Sequence, residues 1–181
     1  MRFLLCIWLA ASATCVTAQG IEALRQSGVV ALMRHALAPG TGDPAGFAID
    51  DCSTQRNLDA SGIEQARRSG DALRGAGVTF DHIWTSHWCR ARDTAVLMEM
   101  GDVQEKPPLN SFFAGRGDRA AQTAATLDLI SAVPADERLL IVTHQVNITA
   151  LTGRGVGSGE IIVTRRKDDG LEVVDRFLVA P

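Results

Sequence analysis

The feature that most limits the fold is a repeated one: short apolar runs that end in polar clusters, with helix-patterned segments between them. Val29 to Met33 is such a run, with two β-branched residues, and it stops at Arg34-His35. Phe80 to Thr85, more mixed, reads as a second strand, followed by Ser86 to Arg90. Leu139 to Thr143 is a third, followed at once by His144. Short apolar runs bounded by polar residues read as buried strands. Between the first two, Ile63, Ala66, Gly70 and Leu73 recur at helical spacing. This helix begins near Asp59 or Ser61, with Ser61 and Glu64 fitting a capping box, and Gly75 and Gly77 stop it. Ser86 is a candidate cap for a helix through Met100 that turns Ala91, Ala95 and Met98 inward. A third helix is expected between Asp118 and Ala132. Glu160 to Thr164 and Leu171 to Leu178 read as strands around the Lys167-Asp168-Asp169-Gly170 turn. Strands alternating with helices predict an α/β sheet covered on both faces. Residues 37–55, with Pro39, Gly40, Gly42, Pro44 and Gly46, form a long loop, the main candidate for a lid over a site.

The N-terminus follows a different pattern. Arg2 precedes an apolar run from Phe3 to Ala13, and Val16-Thr17-Ala18 offers small residues for a cleavage site, as in a secretory signal peptide. Spanning a bilayer needs about 20 apolar residues, and Ser12, Thr14 and Thr17 interrupt this run early. The expected arrangement is a signal peptide at 1–18 and a single domain at 19–181, periplasmic or secreted, with no stable membrane insertion after cleavage. Cys6 and Cys15 leave with the presequence, so the exported chain keeps Cys52 and Cys89. These are either two small core residues or a disulfide, and an oxidising compartment favours the disulfide. Such a bridge would contribute about 3–4 kcal/mol.

With 18 Lys plus Arg against 21 Asp plus Glu, the 181-residue chain has a formal charge of −3. Nucleic-acid binding needs basic patches and stacking platforms, and a mildly acidic chain with 5% aromatics and no Tyr offers neither. His82 and His87 are five apart, off a common helical face, and no carboxylate or thiolate set joins them, so no metal site is expected.

In a parallel sheet, ligands bind beyond the carboxyl ends of the strands. The three polar clusters sit at those ends, which would gather Arg34, His35, Arg90 and His144 on one rim. Guanidinium groups match phosphate oxygens with a planar, permanently charged fork. An imidazole with one nitrogen fixed as a donor is a nucleophile at the other. Each of these residues has an ordinary surface or packing role when taken alone. Their joint placement points to phosphoryl chemistry in which one histidine attacks and the other stabilises spreading charge.

Leu32-Met33-Arg34-His35-Ala36 resembles the Arg-His-Gly signature of the histidine phosphatase (phosphoglycerate-mutase-like) superfamily, with Ala in the Gly position. Gln55 to Gly62 with Gln65-Ala66, Ser86 to Ala95, and Ile141-Val142-Thr143-His144 resemble its later blocks in the same order. The resemblance implies a three-layer α/β/α sandwich on a mainly parallel sheet. It implies that His35 becomes a phosphohistidine, that Arg34, Arg90 and His144 complete the pocket, and that no cofactor is needed. Arg56 and Asn57 are carried as substrate contacts. Two departures stand out. Relatives with a mutase-like layout place a glutamate acid in a Leu-x-Glu context, whereas here the segment reads Leu109-Asn110-Ser111. Gln145 follows the late histidine where an Asp could also have served. Asp118 and Asp43 are the remaining candidates for a general acid. Export and size resemble the lipopolysaccharide core heptose phosphatases, which makes a small phosphorylated substrate such as a sugar phosphate the expected partner. The alternatives are a non-catalytic phosphate-ligand-binding envelope protein and a phosphohistidine protein phosphatase. The sequence sets no oligomeric state.

Overall fold

The computed structural model describes residues 16–181. The expected signal peptide lies outside the described residues except for 16–18, which open the first helix. In chain order the elements are α1 (Val16–Leu24), β1 (Val29–Arg34), α2 (Ala60–Gly75), β2 (His82–Thr85), α3 (Cys89–Leu97), β3 (Val103–Glu105), α4 (Arg119–Ser131), β4 (Leu139–Thr143), α5 (Gln145–Thr152), β5 (Glu160–Lys167) and β6 (Gly170–Leu178), with short 3-10 turns at 52–54, 107–109 and 113–115.

The six strands form one sheet in the order β3-β2-β4-β1-β5-β6. β3, β2, β4 and β1 run parallel. β5 pairs antiparallel with β1, and β6 with β5. Both faces are covered, as the alternation along the central strands shows. Val29, Ala31, Met33, Leu140 and Val142 pack on one side with Leu24, Leu73, Ala91 and Met98 of the first three helices and the segment after them. Val30, Leu32, Leu139 and Ile141 pack on the other with Leu109, Ile130 and Ile148. Each side chain of this size is worth about 1.5–3 kcal/mol when fully buried, so a central strand apolar on both faces is anchored twice. The architecture is the expected three-layer α/β sandwich on a mixed, mainly parallel sheet.

Local differences from the sequence expectation have local causes. Asp59, not Ser61, caps α2: its backbone is extended and its carboxylate accepts from Gly62 N at 2.8 Å. Helix α3 starts at Cys89 without a side-chain cap, because the cap position is held by Trp88, which has no acceptor, and Ser86 stands two residues before it. α2 and α3 meet closely at Gly70, where a Cβ would stand 2.0 Å from the Met98 carbonyl oxygen. Only glycine permits that approach. No described helix is long and apolar enough to cross a membrane.

Candidate active site

Because β1, β2 and β4 are parallel neighbours, the residues after them emerge on one rim. There Arg34, His35, Arg56, Arg90 and His144 line a single pocket of about 120 Å³, closed by Gly40, Thr41, Gly42, Ser111, Phe113, Gln145 and Val146. The two histidines follow adjacent strands, and their ring centroids are 5.6 Å apart, edge to face.

His35 is held in a defined tautomer. Its Nδ1–H donates to the Ala36 carbonyl at 2.8 Å, and Arg90 Nε donates to its Nε2 at 3.2 Å. The Ala36 peptide is itself fixed, since its N–H donates to Thr94 Oγ1 at 3.0 Å. Nε2 therefore carries a lone pair among three guanidinium groups. Burial, with Arg90 adding to it, pushes the His35 pKa down to about 3, so the ring is neutral and nucleophilic throughout the physiological range. Burial, then His35 and Arg90, likewise holds His144 well below the ordinary histidine value. Ser86 Oγ lies 2.8 Å from His144 Nε2 and accepts from Trp88 N at 3.3 Å. The hydroxyl keeps a second lone pair besides its hydrogen, so it can serve either tautomer of the neutral His144 ring. Trp88 packs edge-on against His144 at 5.3 Å.

Three arginines supply the positive charge. Arg34 Nη1 donates to the Val156 carbonyl at 3.3 Å, and its buried Nε has no acceptor among the described residues. Arg56 donates through Nε to the Gly42 carbonyl at 2.7 Å and through Nη1 to that of Ala38. Burial, then the charge of Arg90, lowers its pKa to about 10, which leaves it charged near neutrality. Arg90 is 3% exposed and forms an ion pair with Asp43. Two histidines with unprotonated nitrogens and three cations suit the binding and in-line transfer of a phosphoryl dianion.

The remaining sequence candidates fall elsewhere. Asn57 does not line the pocket; its amide donates to the Cys52 carbonyl at 2.7 Å on the exposed side of the loop. Neither proposed acid is placed to protonate a leaving group. Burial alone would raise Asp43, but its bonds from Arg90 and Trp88 outweigh that and leave its pKa below the ordinary carboxylate value. Asp118 is exposed and caps α4, accepting from Ala121 N at 2.9 Å. Among the described residues no aspartate or glutamate lines the pocket. Thr41, Ser111 and Gln145 do line it: Ser111 and Gln145 stand in the two segments where relatives carry an acid, and Thr41 has no sequence signal beyond its place in a polar loop.

Cys52 and Cys89 are joined as a disulfide, which ties the 37–55 segment to the start of α3. Gln55 reinforces the tie: Oε1 accepts from Cys89 N at 3.0 Å, while Nε2 donates to the Ala48 and Ile49 carbonyls. The segment expected as a lid is a fastened wall. His82 and His87 have separate partners, Glu137 at 2.6 Å and Glu105 at 3.6 Å. Among the described residues no group of three or more His, Cys, Asp or Glu is arranged to hold a metal ion.

Residues 30–117 match the family model described as the histidine phosphatase superfamily (branch 1). No curated protein matches the chain. Solved structures share its fold at low identity. The protein histidine phosphatase SixA complexed with tungstate superposes with a TM-score of 0.58 at 18% identity, covering 83% of this chain and 96% of that one. A phosphoserine phosphatase mutant from Entamoeba histolytica, in complex with phosphoserine, gives 0.59 at 14%, over 82% and 95%. A mycobacterial glucosyl-3-phosphoglycerate phosphatase gives 0.55 at 17%, over 77% and 90%. The names of these proteins span a phosphoprotein, an amino acid and a sugar derivative, so the shared fold does not select a substrate.

Proposed function

We propose that the chain, whose residues 30–117 match the model of branch 1 of the histidine phosphatase superfamily, is a member of it and hydrolyses a phosphomonoester in two steps through His35. The observation that carries this reading is the His35 ring, neutral by burial, with Nδ1 fixed as donor and Nε2 aimed among the cations. In the first step Nε2 attacks phosphorus, the N–P bond forms, and the P–O bond to the leaving group breaks with its electron pair. In the second, water attacks phosphorus, the N–P electron pair returns to Nε2, and inorganic phosphate departs. Arg34, Arg56 and Arg90 hold the equatorial oxygens as charge spreads over them, and the neutral His144 ring lines the same pocket beside them. The protein's own side chains provide the nucleophile and the charge stabilisation, and the reading needs no cofactor.

With no carboxyl group in the pocket, the favoured substrates have leaving groups that depart as stable anions. The presequence pattern supports a periplasmic or secreted location, where an envelope sugar phosphate, a heptose phosphate included, is the class to assay; its alkoxide leaves less readily than an aryl oxide, so slower turnover is expected of it. A phosphohistidine protein is the alternative substrate, and a phosphate-binding protein without turnover is the alternative function. The deciding experiment incubates the purified protein with 4-nitrophenyl phosphate and with a panel of sugar phosphates. Wild type should form an acid-labile phosphoenzyme and release phosphate, and His35→Ala should do neither. Full turnover by His35→Ala would overturn the proposal, and phosphate binding without turnover in wild type would favour the binding protein.

A further inference from the structure

Asp43 lies in the 37–55 segment, 47 positions before Arg90, and faces it inside the protein. Both side chains are almost fully buried, at 4% and 3% exposure. Asp43 Oδ1 accepts from Arg90 Nη1 at 2.6 Å and from Arg56 N at 3.3 Å, and Oδ2 accepts from Trp88 Nε1 at 3.0 Å and Arg90 Nη2 at 3.3 Å. Arg90 Nη1 also donates to the Arg56 carbonyl at 3.2 Å. Of the five N–H groups of the guanidinium, these contacts use three and fix its plane. Nε–H points at His35 Nε2, and one Nη2–H is left. We propose that Asp43 is a positioning residue for the phosphoryl transfer proposed above: its carboxylate clamps the Arg90 guanidinium so that its Nε faces the nucleophilic nitrogen. An entering phosphoryl oxygen then meets an aligned donor, and the His35 lone pair is released to attack.

Two considerations separate this role from simple loop anchoring. Arg34, Arg56 and Arg90 repel one another, so Arg90 would turn away from the other two without a fixed counter-charge. The segment also has anchors independent of Asp43: the Cys52–Cys89 bridge, the Arg56 bonds to the Ala38 and Gly42 carbonyls, and Gln55 on Cys89 N. Removing the charge on Asp43 should leave the wall in place and free the guanidinium.

The proposal rests on the reaction at His35, and the test reads the two apart. Full-length wild type and Asp43→Asn are compared with 4-nitrophenyl phosphate as substrate and inorganic phosphate as inhibitor. Asparagine keeps the shape and can still accept from Trp88. The expected result is a fall in kcat of about 10–100-fold, the range that misplacing a catalytic group costs. The inhibition constant of phosphate should stay the same or tighten, because the unpaired arginine still attracts an anion. Wild-type kcat in Asp43→Asn would overturn the clamp. So would a loss of phosphate binding in proportion to kcat, the signature of a collapsed wall. If Asp43→Asn does not fold, Asp43→Glu keeps the charge but shifts the fork, and the same split between kcat and phosphate inhibition is expected. Wild-type kcat in that variant would overturn the proposal. Wild type that forms no phosphoenzyme would bring down the reaction and the clamp together.

Discussion

Replacing both bridged cysteines, Cys52→Ala with Cys89→Ala, tests what the disulfide contributes. The cross-link joins residues 37 apart in sequence. In the chain-entropy model, opening a loop of that size restores about 13 cal/mol/K to the unfolded state, or about 4 kcal/mol at 25 °C. For a domain of this size 1 kcal/mol moves Tm by about 2–4 °C, so a drop of about 8–16 °C is expected. Calorimetric melts under non-oxidising conditions measure it, with dithiothreitol-treated wild type expected to match the variant and the variant expected to be indifferent to dithiothreitol. Activity at 25 °C should survive, since Asp43 holds Arg90 and Gln55 holds the Cys89 backbone without the bridge. A drop smaller than about 3 °C would refute the entropic reasoning. It would mean that the unfolded chain between 52 and 89 is already constrained or that the bridge is strained in the native state. A variant that melts as expected but loses turnover would show that the bridge acts on the pocket as well.

Further outcomes are expected. His35 binds its proton only near pH 3 when folded but near 6.5 when unfolded, so the stability this neutral ring contributes is complete above about pH 6.5 and is lost as pH falls through that window toward 3. Between pH 7 and 5 this loss is about 2 kcal/mol, and His35→Gln should remove it from urea midpoints taken at the two pH values; an unchanged pH slope would contradict the burial argument. Gly62→Ala would place a Cβ 1.9 Å from the Leu37 carbonyl oxygen, and a melting point within about 2 °C of wild type would show that this contact gives more easily than backbone should. Without a carboxylic acid in the pocket, kcat/KM should favour aryl over alkyl phosphates by at least about 10²-fold, the low end of what general acid catalysis supplies. A flat dependence on leaving-group basicity would point to an acid elsewhere.

The parts of the site that follow strands were legible because strand ends are. The runs at 29–33 and 139–142 are apolar without interruption, and Arg34 after the first and His144, one residue beyond Thr143, after the second belong to the candidate site. β3 was not legible, since three residues, Val103 to Glu105, carry too little pattern. α5 was obscured by Val146, Ile148, Thr149 and Thr152, β-branched residues with weak helix preference that are held helical by packing on the sheet. Serine is a common cap residue, but Ser86 stands two positions before the cap of α3, where its hydroxyl meets the buried His144 ring. Arg56 and Asn57 are adjacent in one sequence block, but extended backbone at Gln55 leads into neighbours that face opposite ways, one into the pocket and one to solvent. The Asp43–Arg90 pair had no local signal, because nothing in a sequence pairs charges 47 positions apart until the chain between them is folded.

The backbone N–H of His35 donates to the Thr143 carbonyl at 3.0 Å, and Arg34 stands opposite Thr143 in the ladder of β1 and β4. The gap between the two histidines is thus measured in rungs of the sheet rather than in side-chain rotamers. Such a ruler is digital: one residue deleted within 29–34 would turn Arg34 and His35 to opposite faces, and no adjustment of a neighbouring side chain could restore them. Length in β1 and β4 should therefore be far less tolerant of change than length in the surrounding loops, where substrate preference can drift while the interval between the two imidazoles stays set by main-chain hydrogen bonds.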